Sequence, residues 1–371
     1  MKRLLIIEDD KLLGTVYLKK FSPSGIRVKI AETGKDGLAQ VASYRPHALL
    51  LDLMLPDMTG IEVLQALRAD AGTKDLPVIV FTNSFLPGPI QDARNAGAST
   101  VITKADCSAT QLVERIAAAL GQSDYEPPAG AVETAAPVAA AEVDPRQIFR
   151  QHATRLQSAL DRLLVISTDM SRMTEVAQAA HAIAGSGAAA GEHTLAWLAS
   201  ALEALIQDLF DKPKHRNPSS TNTIADAARL LISWLQGTTP IPSRRPMDCK
   251  ILAVDDDPII GQLVSIALSR AQLRCITQSD PVAALETLRA SPFDLVLLDV
   301  EMPVMEGPVL CAELRKLPQH QTTPVVFVTA IGEFERRAAT LASGGNDLLA
   351  KPFLPMELAV KSLTHLLRRL K

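Results

Sequence analysis

Two groups of chemically similar residues recur in this chain in the same order and at a constant offset of 247 positions. The first group is Glu8, Asp9, Asp52, Thr82 and Lys104, and the second is Asp255, Asp256, Asp299, Thr329 and Lys351. Crowded carboxylates repel one another and stay ionised together only beside a hard cation such as Mg²⁺. A lysine ammonium and a threonine hydroxyl can then hold an incoming phosphoryl group. The two groups predict two sites of phosphoryl chemistry.

These polar residues stand where short apolar runs end. In the first copy the runs are RLLII, HALLL, PVIVF and STVIT. Apolar runs that alternate with helical stretches are typical of a parallel sheet covered on both faces. Ligands of such sheets bind at the carboxyl ends of the strands. A single acid at a strand end commonly caps a helix, but an ordered set that occurs twice favours a site.

The segments around these residues match as well. LLIIEDD matches ILAVDDD, ALLLDLMLPDMTG matches LVLLDVEMPVMEG, and LPVIVFTNS matches TPVVFVTAI. Pro56 and Gly60 also have partners at the same offset, in Pro303 and Gly307. The pattern indicates that one domain was duplicated, with an unrelated segment between the copies.

Both copies resemble the receiver domains of bacterial response regulators, the phosphoacceptor modules of two-component signalling. The resemblance implies a flavodoxin-like α/β fold in each copy, a doubly wound five-stranded parallel sheet. It implies phosphoacceptors at Asp52 and Asp299. The phosphoryl contacts that it implies are Thr82, Lys104, Thr329 and Lys351. The Mg²⁺ ligands that it implies are Glu8, Asp9, Asp52, Asp255, Asp256 and Asp299, with the backbone carbonyls of Met54 and Glu301.

The two copies also depart from the receiver pattern. Receivers often carry Tyr or Phe three residues before the lysine, and here those positions hold Val101 and Leu348. We therefore do not expect a switch that swings an aromatic ring in either copy.

The segment between the copies carries helical patterns. One helical stretch contains HAIAGSGAAAG, in which His181 stands among small residues. At 100° per residue, Val176, Ala179, Ile183 and Ala190 share one face and are expected to point into a core. His181 falls on the opposite face, with Ala177, Ala184, Gly185 and Ala188. A lone histidine on such a face could be merely exposed to solvent.

This segment resembles a histidine phosphotransfer (Hpt) domain, an all-α four-helix bundle whose histidine carries a phosphoryl group between receivers. The resemblance implies that His181 is a third phosphoacceptor, with its small neighbours leaving room for a receiver. Gly185 and Ser186 match the family, whereas Ala184 stands where the family has lysine. Because the added cation would favour the phosphoryl group, Ala184→Lys is expected to speed transfer. His152, His193 and His215 lack this setting and are expected at the surface.

The expected domain organisation follows from these resemblances and from changes in composition. It is a first receiver at 1–121, a Pro/Ala-rich linker at 122–143, an Hpt domain at 144–237, a linker at 238–248 and a second receiver at 249–371. The length of 371 residues agrees with two or three domains.

Composition excludes several classes of protein. The net charge of -3 and the lack of a dense basic run, apart from LLRRLK at the end, give no sign of nucleic-acid binding. The four scattered cysteines argue against zinc and for a reducing compartment. No apolar run approaches the roughly 20 residues of a membrane span. We expect a cytoplasmic protein with no membrane partner.

The expected function is a phosphorelay in which phosphoryl groups pass between receiver aspartates and the Hpt histidine with Mg²⁺. We expect no enzyme activity beyond weak autophosphatase activity of the receivers. The expected partners are a sensor histidine kinase, other receiver or Hpt proteins or an output protein, and a second copy through a receiver-mediated dimer.

Three alternatives remain open from sequence alone. The first is an adaptor in which phosphorylation only controls docking. The second is the regulatory front end of a larger regulator, for example a diguanylate cyclase, with a non-functional Hpt domain. The third is a haloacid-dehalogenase-like phosphatase, which the position of the isolated aspartate on the third strand disfavours.

Overall fold

The structure is a computed structural model, and the part that it describes has several gaps. The described residues are 2–9, 14, 17–18, 20–21, 24–82, 87–104, 107, 109–122, 125, 127, 145–165, 170–329 and 342–370. The expected linker at 122–143 therefore lies almost entirely outside them. In this part of the chain no helix is both long and apolar enough to cross a membrane.

The first copy folds into a parallel sheet with helices on its faces. Its strands are β1 (Arg3–Ile7), β2 (Arg27–Ala31), β3 (Ala48–Leu51), β4 (Val78–Thr82) and β5 (Thr100–Thr103). Its described helices are α1 (Gly34–Tyr44), α2 (Gly60–Ala69), α3 (Pro87–Asn95) and α4 (Ala109–Gln122). The strand order is β2-β1-β3-β4-β5, and all described pairings are parallel.

The apolar strands are buried on both faces because successive side chains point to opposite sides. Leu5 and Leu49 pack into the core with α1 and α2 residues such as Val41 and Leu64. Their neighbours, such as Leu4, belong to the other core with α4. The parallel register brings the carboxyl ends of β1, β3, β4 and β5 to one edge of the sheet. Polar residues after these strands therefore meet there.

The helical segment in the middle of the chain contains the histidine that the sequence singles out. The described helices here are α5 (Pro145–Val165), α6 (Met170–Ala190), α7 (His193–Asp211) and α8 (Pro218–Leu235). Helix α6 ends where Gly191 adopts a positive φ of 82°, a conformation that glycine takes without steric cost. Helix α8 begins with a capping box between Asn217 and Ser220.

The second copy repeats the first. Its strands are β6 (Ile251–Val254), β7 (Cys275–Gln278), β8 (Leu295–Leu298), β9 (Val325–Thr329) and β10 (Asp347–Ala350). Its described helices are α9 (Pro258–Arg270), α10 (Pro281–Ala290), α11 (Gly307–Lys316) and α12 (Pro355–Arg369). The strand order β10-β9-β8-β6-β7 is the order of the first sheet, counted from the other edge. The prediction of two flavodoxin-like sheets with an α-helical segment between them is confirmed.

The chain forms two compact units. The first comprises Met1–Thr154 and Ala179–Ser200, and the second comprises Arg155–Gln178 and Ala201–Lys371. The first sheet and His181 thus belong to one unit. The second sheet and helix α8 belong to the other.

Candidate functional site

The first candidate site lies at the carboxyl edge of the first sheet. Glu8 follows β1, Asp52 follows β3, Thr82 ends β4 and Lys104 follows β5. All four side chains are buried. The backbone places them there because each strand ends just before its polar residue, or on it. The structure therefore brings together four of the residues that the sequence singles out in the first copy.

A single ammonium group joins the two buried carboxylates of this site. Lys104 Nζ donates hydrogen bonds to Glu8 Oε2 at 3.0 Å, to Glu8 Oε1 at 3.3 Å and to Asp52 Oδ2. The Lys104 side chain has no exposed surface. Such charge-assisted hydrogen bonds are the favourable way to keep charges in a protein interior.

His181 completes the cluster from helix α6. Its Nε2 atom lies 2.9 Å from Asp52 Oδ2 and 3.5 Å from Lys104 Nζ. The imidazole side chain is 9% exposed. The histidine thus reaches the predicted acceptor aspartate directly.

The electrostatics of the cluster follow from two acids that share one cation. Burial raises the pKa of Asp52, but the Lys104 ammonium and His181 lower it by more, so the Asp52 pKa lies below its usual range. Burial raises the pKa of Glu8 to about 8, with Lys104 offsetting only part of this effect. One ammonium cannot fully offset the charges of two buried carboxylates, which keeps the pKa of Glu8 raised. The pKa of Lys104 lies well above its ordinary value, because both acids outweigh the effect of burial.

The other residues named for this site have different positions. Asp9 is exposed. Among the described residues of this site, Glu8, Asp52 and His181 offer ligand atoms within 4.8 Å of one another. Met54 is about half exposed, and its backbone N–H donates to Asp52 Oδ1 at 3.2 Å.

The second candidate site lies at the carboxyl edge of the second sheet. Lys351 Nζ donates to Asp255 Oδ2 at 2.6 Å and to Asp299 Oδ1 at 3.1 Å. Asp255, Asp256 and Asp299 offer three ligand atoms within 4.8 Å of one another, and Asp256 is exposed. Thr329 is buried at the end of β9, and Glu301 is exposed.

The predicted acceptor aspartates of the two sites, Asp52 and Asp299, differ in their electrostatics and exposure. Burial raises the pKa of Asp299 because Lys351 offsets this effect only in part. The side chains of Asp299 and Lys351 are 10% and 17% exposed, whereas those of Asp52 and Lys104 are fully buried. The second site is therefore the more accessible of the two.

A glycine allows the backbone to approach each predicted acceptor aspartate closely. A Cβ atom on Gly60 would lie 2.2 Å from the carbonyl oxygen of Asp52, and one on Gly307 would lie 2.0 Å from that of Asp299. Real Cβ atoms do not approach backbone oxygens so closely. This explains why both copies of the repeat keep glycine at this position.

Helix α6 is buried all round where it carries the histidine. Every residue from 179 to 188 is buried, whereas an amphipathic surface helix keeps one face in water. Ala189 packs against the apolar cluster of the first sheet that includes Tyr17 and Phe21. The small-residue face around His181 is therefore covered in this unit. The solvent-exposed alternative does not describe this structure.

Two expectations for the helical segment are wrong. Ala190 is exposed, because it is the last residue of α6 and the helix ends before its face continues. His152 is buried, because it lies one turn from both Ile148 and Leu156 on the apolar face of α5. His193 and His215 are partly exposed.

Models of known protein families match the three segments that carry these residues. The model of the response regulator receiver domain matches residues 4–117 and 251–362, more than half of the chain. The chain belongs to the response regulator receiver family. We call the two matched segments receiver 1 (residues 4–117) and receiver 2 (residues 251–362). The model of the Hpt domain matches residues 145–236, which lie between them. The predicted architecture of two receivers that flank an Hpt domain is confirmed, and it supports a role in phosphorelay signal transduction.

Similar proteins align with the chain over one receiver length. It is 37% identical over 120 residues to the protein named "Probable transcriptional regulator ycf27" of Cyanophora paradoxa. This alignment covers 32% of this chain and 48% of that protein. The chain is 34% identical over 117 residues to the signal transduction histidine-protein kinase BarA of Escherichia coli K12. This second alignment covers 30% of this chain and 12% of that protein. The chain thus spans half or less of these relatives.

Solved receivers align over a similar length. The chemotaxis response regulator CheY4 of Vibrio cholerae is 35% identical, with 32% of this chain and 98% of that chain covered and a TM-score of 0.31. The receiver domain of the sensor histidine kinase PA1611 from Pseudomonas aeruginosa PAO1, solved with a magnesium ion in its active-site cleft, is 29% identical. The alignment with this receiver domain covers 30% of this chain and 90% of that chain, with a TM-score of 0.29.

Proposed function

We propose that this protein exchanges a phosphoryl group between Asp52 of receiver 1 and His181 of the Hpt domain within one chain. The observation that carries the proposal is the distance of 2.9 Å between His181 Nε2 and Asp52 Oδ2 in a buried site. The two groups face each other in one site, so a phosphoryl group admitted between them passes without a diffusive encounter and avoids much of its entropy cost. Receiver and Hpt domains are phosphotransfer modules, and here one of each is already engaged.

The exchange can be written with this chain's own groups. When Asp52 carries the phosphoryl group, the Nε2 lone pair of His181 attacks phosphorus, and the imidazole proton stays on Nδ1. The N–P bond forms, the P–O bond to Asp52 breaks, and the carboxylate leaves with the electron pair. Lys104 lies beside both groups and stabilises the negative charge that moves between them. The reverse reaction returns the group to Asp52.

The donor chemistry of both sites fits Mg²⁺, the ion that receiver domains typically bind at an acidic site. We assign Glu8, Asp9, Asp52 and the Met54 carbonyl to receiver 1, and Asp255, Asp256, Asp299 and the Glu301 carbonyl to receiver 2. These are oxygen ligands, which Mg²⁺ prefers. When bound, the ion offsets the charge of the phosphoryl oxygens. Thr82 and Thr329 supply hydroxyl donors from the ends of β4 and β9.

Receiver 2 supplies the third acceptor, Asp299, in the more accessible site. A sensor histidine kinase, or another receiver or Hpt protein, is the class of partner that would load or unload it. Beyond these exchanges we propose no turnover, apart from slow hydrolysis of the acyl phosphates.

Mapping phosphoryl label with a small acyl phosphate donor and Mg²⁺ tests the proposal. Acyl phosphates load aspartates, so label on His181 must come from a loaded receiver. We expect mass spectrometry to find label on Asp52, Asp299 and His181. In Asp52→Asn the His181 label should vanish while the Asp299 label remains.

The adaptor alternative gives the opposite result in the same experiment. If docking alone matters, His181 stays unlabelled while both aspartates are loaded. His181→Gln is the matched control, because it keeps a polar side chain of similar size and removes the nucleophile. Label that persists on the peptide with residue 181 in this variant would show that another group accepts it.

A further inference from the structure

Helix α12 of receiver 2 carries a charged stripe that receiver 1 lacks. Glu357, Lys361, His365 and Arg368 lie three or four positions apart and share one face of the helix. The residues 247 positions earlier are Thr110, Glu114, Ala118 and Gly121, all exposed on α4. In receiver 2, Glu357 and Lys361 are instead buried. The two copies thus differ in the residues and burial of this helix face.

Helix α8 of the Hpt domain covers this stripe. Ser219 Oγ donates a hydrogen bond of 2.7 Å to Glu357 Oε1 at one end. At the other end Arg368 Nη2 donates to the Asp226 carbonyl oxygen at 3.2 Å and to Asp226 Oδ1 at 3.3 Å. We call this interface the α8–α12 clamp.

The middle of the clamp is tied to strand β10. Asp347, the first residue of β10, accepts a hydrogen bond from Lys361 Nζ at 2.7 Å, and its Oδ2 lies 3.0 Å from His365 Nε2. Thr223 and Asp226 of α8 line the same small space as these three side chains. Receiver 1 has Thr100 in place of Asp347, so this ion cluster is also particular to receiver 2.

The same strand leads to the phosphoacceptor site. Lys351 follows β10 directly, and its Nζ atom is shared between Asp255 and Asp299. A phosphoryl group on Asp299 adds charge that draws Lys351 away from Asp255. One end of β10 thus responds to loading, while its other end holds the clamp. Leu348 provides no aromatic ring for a switch, and within the described residues of receiver 2 the ion cluster at Asp347 connects β10 to the clamp.

We propose that receiver 2 regulates phosphoryl exchange between Asp52 and His181 through the α8–α12 clamp. This inference rests on the proposed function, because it concerns the rate of that exchange. Helix α8 lies in the same Hpt domain as His181, residues 145–236. The two states differ in the partners of Lys351, which are Asp255 and Asp299 before loading and include the phosphoryl group afterwards. Receiver 2 thereby acts as a regulatory domain of the Hpt domain as well as an acceptor.

The test measures how fast label moves from Asp52 to His181 in the full chain. The chain is loaded with a small acyl phosphate and Mg²⁺, quenched after short times, and mapped by mass spectrometry. We expect the rate constants of the wild-type chain and Asp299→Asn to differ about fivefold, a typical coupling between two sites. Equal rate constants would overturn the inference.

Clamp variants decide whether the coupling runs through α8 and α12. In Ser219→Ala and in Arg368→Glu, loading of Asp299 should no longer change the exchange rate. Combining Arg368→Glu with Asp226→Arg should restore the effect by exchanging the two charges. Lys316→Glu, an exposed charge reversal on α11, is the matched control and should retain it.

The outcomes separate this inference from the proposed function. Coupling that survives both clamp variants, or that the charge exchange does not restore, would overturn the clamp as its route. Label that never reaches His181 in any variant would overturn the proposed function and the inference together. Exchange that proceeds at one rate whatever the state of Asp299 would overturn the inference alone.

Discussion

Replacing His181 with alanine should open the receiver 1 site to small phosphodonors. His181 Nε2 lies 2.9 Å from Asp52 Oδ2, and no part of the Asp52 side chain is exposed. A hydrogen bond to a charged group contributes about 1.5–3 kcal/mol. In the closed state of receiver 1 His181 contacts Asp52, and in the open state it does not. If His181→Ala removes about 2 kcal/mol from the closed state, the ratio of open to closed molecules should rise roughly 30-fold, since each 1.4 kcal/mol is tenfold.

The assay is the initial rate of labelling by a small acyl phosphate with Mg²⁺. If Asp52 is loaded only while the site is open, its rate rises with the open fraction, up to this limit. Label on His181 is added to that on Asp52 in the wild-type chain, because it arrives through Asp52. Asp299 serves as the internal control, since its site does not contain His181.

Equal initial labelling rates at Asp52 in the wild-type chain and in His181→Ala would refute this prediction. A parallel rise at Asp299 would also contradict it, because that result would indicate a general loosening of the chain.

Three further predictions follow from burial, titration and close packing. Ala184→Lys should slow transfer from Asp52 at least about tenfold in rapid-quench assays, because Ala184 is fully buried and a cation there would be desolvated one helical turn from His181. Glu8→Gln should flatten the pH dependence of unfolding by urea without metal. The Glu8 pKa rises from 4.5 to about 8, so the folded state holds the extra proton and loses stability as pH rises through this range, by at most about 1.4 kcal/mol per pH unit. Gly307→Ala should lower stability by about 1–3 kcal/mol in the same assay, because its Cβ would overlap a carbonyl oxygen, whereas Gly121→Ala, with open space around it, should not.

Much of the fold, and the strand edges at which the two candidate sites lie, could be predicted from the sequence. Apolar runs that end in Glu8, Asp52, Thr82 and Lys104 predict parallel strands with a polar edge, and this edge is present. The prediction works because strand polarity and hydrophobic burial depend on short segments. The repeat at a constant offset strengthened it, since chance does not reproduce an ordered set of residues.

The contacts across separate segments were beyond reach of the sequence. Both receivers offer an aspartate and a lysine to His181, and nothing in these motifs distinguishes Asp52 from Asp299 as its neighbour. The choice depends on helix faces that meet only in the folded chain, such as Ala189 against Tyr17 and Phe21. The burial of Ala184 reverses the expectation that lysine there would speed transfer, for the same reason.

The charged stripe of α12 is a case in which a signal was present but unused. Comparing Lys361 with Glu114, and His365 with Ala118, shows that the two receivers differ on one helix face. The spacing marks a surface with a partner, but it does not tell which helix covers it. Only the structure assigns α8, through Ser219 and Asp226.

The most direct test of the account is the concentration dependence of transfer from Asp52 to His181. The Asp299→Asn variant is first loaded with a phosphoryl group on Asp52, and the small donor is removed by rapid desalting. The label is then followed by quenching and mass spectrometry at several protein concentrations. We expect a first-order rise of label on His181 with a rate constant that does not change with protein concentration, because Asp52 and His181 contact each other within one chain. A rate proportional to protein concentration, or loss of Asp52 label to water with none on His181, would contradict it.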